Sequence, residues 1–559
     1  MSDRSNDIRQ YIKYDDHVAS PRRRTELNDR MNNADVTHDK ISKGTPLTMI
    51  IDAYHQPPQM IDMEKVQKDK YTLMISPFRY DQLYPNHEPR PINDGHYIDR
   101  WNKNYVRMPC SPCYTLGENR QPIWTMISNQ LANLRKKCDN KIATVEDLKT
   151  TIEFCTGHHY DMYCLETLIN KVYTNSERIH FMSIVLSNIC SLALNVDRIC
   201  SRSPPLLRIG TTHSVTMSQL QAASLLACAF FCLFPYRSNN EQNDEYENFQ
   251  DPNFNQLYRY GPPQKIEKLK CILHYFRRIT NKMPNGVITF KRYSLPDNSY
   301  PNWSSSIARL CDMHLTTGKK IEDVKYTLQV DFANKYIGGG VLGSGCVQEE
   351  IRFTICPEML VSLLLCEKME INECIFLIGC ERYSTYKGYA NSFQFDGNYE
   401  DKTLKYNQNR DNWGQKWCHL VAMDAFCFRD PIVQYDMKYV KRELIKAYTS
   451  FYPQTMKFER ANMFGIATGN WGCGAFNGDR QLKAIIQLMA ASEAGRPLIY
   501  AAYLDKNLVK SFFEVYEYLL KQQATVRDLY RYLERYSTEN NQRSLFEYIL
   551  KTSISSLKS

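Results

Sequence analysis

The sequence has no apolar run long enough to cross a bilayer. The longest, Ala222–Phe234, has 13 residues, short of the ~20 a membrane-spanning helix needs, and reads as a buried helix. The first residues, MSDRSNDIRQ, lack the apolar core of a secretory leader. The 19 cysteines are odd in number and scattered between positions 110 and 473, which reads as free thiols in a reducing compartment. Cys110-Ser-Pro-Cys113 has no second pair at zinc-finger distance, His158-His159 has no H-E-x-x-H context, and no G-x-S-x-G elbow occurs. Metal and serine-hydrolase chemistry therefore have no sequence support. No glycine-rich segment fits the P-loop pattern or a clean G-x-G-x-x-G, so a P-loop NTPase and a Rossmann oxidoreductase are also disfavoured. No internal repeat is evident. These absences lead to the expectation of a soluble intracellular protein.

What is present suits a large globular chain. It has 559 residues, 43% hydrophobic and 12% aromatic, enough for about two to four units. Lys and Arg number 70 against 61 Asp and Glu, a net charge of +9. That excess is compatible with a polyanionic substrate but too dilute to argue for a nucleic-acid site. Residues 1–50 hold only Tyr11 and Tyr14 as aromatics and cannot bury enough surface to offset ordering entropy. Arg22-Arg23-Arg24 reads as a solvated charge run, with a nuclear signal as the alternative. Pro57 to Pro91 is proline-rich and aperiodic. Residues 1–98 are thus expected to be a largely disordered or extended arm.

From Trp101 the pattern is helical. Ile123, Trp124, Ile127, Leu131 and Leu134 form one apolar stripe, and Thr144-Val-Glu-Asp147 starts a helix like a capping box. Residues 99–237 read as an all-α unit. Residues 238–559 alternate strands (286–290, 326–332, 375–378, 420–423, 464–467, 498–503) with helices (438–448, 479–491, 508–521, 525–536), the mark of an α/β sheet covered by helices. Ligands of such sheets bind beyond the strands' carboxyl ends.

Three motifs could carry chemistry. In Val330–Phe353, VDFANKYIGGGVLGSGCVQEEIRF, a strand delivers Asp331 and Asn334 to a glycine loop, and Gln348-Glu349-Glu350 follows. Asp331 and Asn334 could simply cap the turn. Neighbouring glutamates on a helix point about 100° apart, so Glu349 and Glu350 must do different things. In Ala467–Ala491 a glycine-rich turn precedes a helix, an arrangement whose free N–H groups attract phosphate oxygens. In Glu381–Phe395, Tyr383, Tyr386 and Tyr389 crowd one loop, either packing together or offering faces to a base or sugar.

GGG followed by QEE at this spacing resembles the signature of the poly(ADP-ribose) glycohydrolases. Val330-Asp-Phe-Ala-Asn334, Thr468-Gly-Asn-Trp-Gly-Cys-Gly-Ala-Phe476, Tyr386-Lys-Gly-Tyr389, Met108-Pro-Cys-Ser-Pro112 and Thr216-Met-Ser-Gln219 are similar to the same family. The likeness runs from about Trp101 towards the C-terminus and leaves out the first hundred residues. It implies an α/β macrodomain with a mixed sheet flanked by helices, preceded by a helical accessory domain. It implies hydrolysis of ribose–ribose O-glycosidic bonds in poly(ADP-ribose), in the setting of the DNA damage response. By motif match, Glu350 is the implied acid/base, Glu349 the neighbour that holds ribose hydroxyls, and Asp331 a third active-site carboxyl. Asn334, Gln348, Gly339 and Gly340 fall on the ribose side, and Tyr389 over the diphosphate and ribose. Asn470, Trp471, Gly472, Cys473, Gly474 and Ala475 fall on the diphosphate, with Phe476 beside them. Ile321 and Glu322 match the pair at the adenine, although the segment after them is one residue shorter than in the family. Tyr503 stands where the family has phenylalanine. The resemblance implies no metal or cofactor, ADP-ribosylated proteins as partners, a monomer, and a nuclear or cytoplasmic site of action. A macrodomain that binds ADP-ribose ends without cleaving them is the alternative; it would need the glycine loops but not the QEE motif.

Overall fold

A computed structural model describes residues 40–52, 58–80, 88–116, 121–235, 246–401, 410–452, 464–539 and 543–558. The Arg22-Arg23-Arg24 run and residues 237–245 lie outside them. In chain order the described strands are β1 (Ser42–Gly44), β2 (Tyr71–Leu73), β3 (Thr115–Leu116), β4 (Gln121–Pro122), β5 (His213–Ser218), β6 (Val287–Ser294), β7 (Met313–Thr316), β8 (Leu328–Ala333), β9 (Glu373–Gly379), β10 (Ser384–Lys387), β11 (Gln394–Asn398), β12 (Lys416–Asp424), β13 (Ile466–Gly469) and β14 (Leu498–Ala501).

Ten of these strands form one mixed sheet in the order β1-β7-β14-β13-β8-β12-β9-β6-β5-β2. Strands β7, β14, β13, β8 and β12 run parallel, and β12, β9, β6 and β5 pair antiparallel. The sheet separates two apolar cores, and the side-chain period of two shows it. On β9, Ile375 and Leu377 join the core on one face while Cys374, Phe376 and Ile378 join the other. On β12, Leu420 and Ala422 divide from Val421 and Met423 in the same way. The first core is shared with the helices Trp124–Asp139, Val145–Thr156, Leu186–Leu194, Gln219–Phe230 and Gln264–Asn281. The second is closed by Met437–Phe451, Arg480–Glu493, Lys506–Lys521 and Val526–Thr538. The fold is thus α/β, with a mixed sheet preceded by a helical region.

Local chemistry fixes the ends of these elements. Thr144 forms the expected capping box, its hydroxyl accepting from the Asp147 N–H at 3.1 Å while Asp147 accepts from the Thr144 N–H at 2.8 Å. The strand expected over 326–332 begins instead at Leu328, because Tyr326 sits at a φ of +60°. The strand expected over 498–503 stops at Ala501, before Tyr503 turns to a φ of +37°.

Two regions differ from the sequence expectation. The stretch 99–237 contains β5, a central partner of β6. Five of its six residues are buried; Val215 and Met217 alternate with Ser214, Thr216 and Ser218, a period of two over too few residues to stand out among the surrounding helices. The arm expected over 1–98 supplies both edges of the sheet, β1 beside β7 and β2 beside β5. These strands have three residues each, too short for any period to register. Among the described residues no helix is long and apolar enough to cross a membrane.

Candidate functional site

Strands β8, β13 and β14 run parallel, so their carboxyl ends, at Ala333, Gly469 and Ala501, open on one edge of the sheet. Asp331 lies near the end of β8, with its side chain on the opposite face from Val330 and no exposed surface. The chain then loops through the glycines into the helix Gln348–Ile355.

The glutamates of this helix are anchored by backbone N–H groups of the loop. Glu349 accepts from Asn334 at 2.9 Å and Gly338 at 2.6 Å. Glu350 accepts from Gly340 at 2.9 Å on Oε1 and from Val347 at 2.8 Å on Oε2. The adjacent carboxylates therefore grip different parts of one loop, as their angular separation requires. Glycine is obligatory at two points. A Cβ on Gly339, which has a φ of +50°, would sit 2.5 Å from Glu349 Oε2 and 2.8 Å from Glu350 Oε1. One on Gly345 would sit 2.5 Å from Glu350 Oε1 and 2.9 Å from the Gly340 Cα. Gln348 spans back to β8, accepting from the Phe332 N–H at 2.8 Å and donating to Val330 O at 3.2 Å. Asn334 accepts from the Tyr336 N–H at 2.9 Å.

Three carboxyls in one buried cluster cannot all ionise cheaply. Burial and the charge of Glu350 push Asp331 well above the ordinary carboxylate range, against the opposing effect of Arg352. Burial, Asp331 and Glu350 push Glu349 up in the same way. The two differ in their partners: both Asp331 oxygens are buried with no hydrogen bond, whereas Glu349 faces two N–H donors, which favour its ionised form. Of these two, Asp331 is the first to hold a proton.

The second glycine loop, Asn470–Gly478, follows β13 and leads into the helix Arg480–Glu493, whose N-cap Asp479 accepts from the Leu482 N–H at 2.9 Å. Its base is fixed. Trp471 is wholly buried, its indole N–H donating to Met423 O at 3.0 Å, and Tyr500 donates to Asn470 Oδ1 at 3.0 Å. Gly478 N–H donates to Gly472 O at 2.9 Å across the loop. Its tip is open. Gly474 and Ala475 are exposed, neither N–H donates within the protein, and a Cβ on Gly474 would meet no atom within 4 Å.

Two tyrosine rings meet beside the carboxylate cluster. Tyr389 and Tyr503 lie 5.7 Å apart between ring centroids. Burial and the charge of Glu350 raise the Tyr389 hydroxyl, which places it close to the carboxylate cluster. Tyr503 is 39% exposed. Glu322 follows the buried Ile321, accepts from the Tyr386 hydroxyl, and lies near enough to Tyr503 to raise its pKa, after burial the second cause. Among the described residues no group of three or more His, Cys, Asp or Glu is disposed to hold a metal ion.

The structure thus gathers Asp331, Asn334, Gly339, Gly340, Gln348, Glu349, Glu350 and Tyr389 at the end of β8, with Asn470–Phe476 after β13 and Ile321, Glu322 and Tyr503 further along. Among these residues the Trp471 side chain is buried and the Gln348 amide is held by β8. Sequence reasoning missed Tyr500 and Lys268, which hold the loops from elements outside the motifs, and Arg352, which lies two residues after Glu350 and has no role in the motif reading. Arg352 reaches back from the helix to donate to Gln329 Oε1 at 2.6 Å.

Comparison with known proteins agrees with this geometry. The description "Poly (ADP-ribose) glycohydrolase (PARG), Macro domain fold" matches residues 300–510, and that of the family's helical domain matches residues 173–292. Probable poly(ADP-ribose) glycohydrolase 2 of Arabidopsis thaliana is 33% identical over 378 residues, covering 59% of this chain and 70% of that protein. Poly(ADP-ribose) glycohydrolase 1 of the same plant is 33% identical over 420 residues, 62% of this chain and 74% of the relative. Poly(ADP-ribose) glycohydrolase 1 of Caenorhabditis elegans is 33% identical over 331 residues, 58% of this chain and 40% of the relative. The chain belongs to the poly(ADP-ribose) glycohydrolase family.

Proposed function

We propose that this member of the poly(ADP-ribose) glycohydrolase family hydrolyses the ribose–ribose O-glycosidic bonds of poly(ADP-ribose) in the groove at the ends of β8, β13 and β14, with Glu350 as its acid/base. The observation that carries the assignment is the anchoring of Glu350 on both oxygens inside a loop whose glycines leave no room for a Cβ. A carboxyl held this firmly is pre-oriented for one reacting atom.

The chemistry balances with that one group. As the glycosidic C–O bond breaks, Glu350 gives its proton to the leaving ribose oxygen and positive charge develops at the anomeric carbon. Water then adds its oxygen to that carbon and returns a proton to Glu350. Glu349 holds ribose hydroxyls. Asp331 lacks any donor of its own, and burial and the charge of Glu350 raise its pKa, which disfavours three negative charges in the cluster. The free N–H groups of Gly474 and Ala475 take the diphosphate. Ile321, Glu322 and Tyr503 line the adenosine end, and Tyr389 closes over the ribose. ADP-ribosylated proteins are the partners this chemistry implies.

Incubating the purified chain with poly(ADP-ribose) and separating the products by size tests the reading. Release of ADP-ribose is expected. Intact polymer bound to the protein would instead make it a reader of ADP-ribose ends.

A further inference from the structure

Lys268 has no role in the cleavage steps above. It lies within the helix Gln264–Asn281 and has no exposed surface. Its ammonium points at the carbonyls of the carboxylate loop. Nζ donates to Val341 O at 2.7 Å, Gly343 O at 2.8 Å and Gly345 O at 2.6 Å, with Gly340 O at 3.4 Å. An ammonium has three protons and no acceptor, so the three short bonds use it fully. Burying a charge is costly unless it is hydrogen-bonded, and here a loop of carbonyls takes the place of its hydration shell. The same peptide segment turns its amides the other way. Gly340 N–H meets Glu350 Oε1 at 2.9 Å, and Val347, two residues after the last gathered carbonyl, meets Oε2 at 2.8 Å.

We propose that Lys268 is a positioning residue for the cleavage step: by gathering the carbonyls of residues 340–345 around one cation, it fixes the amides that aim Glu350. The inference rests on the reading of Glu350 as the acid/base. It also ties catalysis to a helix outside the sheet.

The groups facing Nζ are Cys346 and Glu350 from the loop and its helix, and Lys265 from its own helix. Burial brings the Lys268 ammonium down to about 8, against the pull of Cys346 and Glu350 and with the help of Lys265. Above that pH the neutral amine keeps two donors and the carbonyls lose their cation. Stability moves the other way. The folded pKa lies below the ordinary 10.5, so between the two values the unfolded chain binds more protons and this group's contribution to stability rises with pH. A merely structural lysine gives no loss of rate at constant or rising stability.

The test is single-turnover cleavage of poly(ADP-ribose) by the full chain from about pH 6.5 to 9.5, with ADP-ribose affinity and melting temperature followed alongside. Wild type, Lys268→Met and Lys291→Met are compared. Lys291, on β6, is also brought down to about 8 by burial and serves as the control. Wild-type cleavage is expected to fall about tenfold per pH unit above about 8, towards a residual level, with little change in affinity. Lys268→Met should be slower at pH 7 by about 10²-fold, the scale of a 1 Å misplacement, and should show no alkaline limb. Lys291→Met should keep the limb. A folded Lys268→Met with wild-type rate, a limb that persists in it, or an affinity loss equal to its rate loss would overturn the proposal. If Lys268→Met does not fold, a flat wild-type profile overturns the proposal, and a limb retained by Lys291→Met supports it. Absence of cleavage by wild type at every pH would sink the reading of the function itself, a result distinct from all of these.

Discussion

The loop after β8 and the loop after β13 are both rich in glycine, and the two use it differently. In the first, N–H groups are turned inward: those of Asn334, Gly338, Gly340 and Val347 hold Glu349 and Glu350, and Lys268 binds the carbonyls behind them. Glycine there makes room for the protein's own carboxylates. In the second, the base is locked by Trp471, Asn470 and Gly478, while Gly474 and Ala475 are exposed and their amides donate to nothing within the protein. Glycine there makes room for something outside the protein. A loop saturated by its own side chains suits the placing of a reacting group, and a loop with unused donors suits the holding of an anion. The first should therefore govern rate and the second affinity.

Among substitutions in the two loops, the largest effect is expected where glycine touches Glu350, the proposed acid/base. Gly345→Val places a side chain on Glu350 Oε1 and the Gly340 backbone. Its single-turnover cleavage should fall by more than the roughly 10²-fold that a 1 Å displacement costs; a near wild-type rate would show that the loop does not set the carboxylate. Glu349→Gln comes next, with a loss of about 10² through a misplaced ribose and ADP-ribose affinity largely kept. Gly474→Val should do the opposite. Its Cβ would meet no atom of the protein within 4 Å, so the melting temperature should hold while ADP-ribose affinity falls about 10–100-fold, the worth of one or two hydrogen bonds to a charged group. Unchanged affinity by calorimetry would remove this loop from the diphosphate site.

The smallest effect concerns stability. Burial, then Glu350, raises the folded pKa of Asp331, so the folded state binds more protons than the unfolded chain between the ordinary value near about 4 and the raised one. Native stability from this group falls as pH rises through that window. Asp331→Asn removes the slope, so the difference in melting temperature should shift in the variant's favour from pH 5 to pH 8. A constant difference would mean that Asp331 is ionised in the native protein.

How much of this was legible in the sequence follows from where the information lies. The helix start after GGG…QEE, the capping box at Thr144 and the strand carrying Asp331 depend on residues close together in the chain; the capping box stands as the sequence suggested, and the strand is shifted at its start to Leu328. The features that were not legible depend on distant partners. Lys268 sits more than 70 residues from Val341, on a helix that carries no motif. Strands β1 and β2 are short edges whose identity comes from β7 and β5. The sequence places Trp471 in the phosphate loop, but only the packing beneath it shows that its ring faces the core. The two bonds from Gln348 to β8 also join residues 16 and 18 positions apart, which no local pattern announces.

The central claim is that Glu350 performs the proton transfers while the second loop holds the substrate. It is tested most directly by Glu350→Gln, which keeps the size of the side chain but cannot give up and regain a proton. Single-turnover cleavage of poly(ADP-ribose) and ADP-ribose affinity are measured on the same folded preparation. The account predicts a loss of rate of at least about 10²–10⁴-fold with affinity close to wild type. Cleavage near the wild-type rate would contradict it.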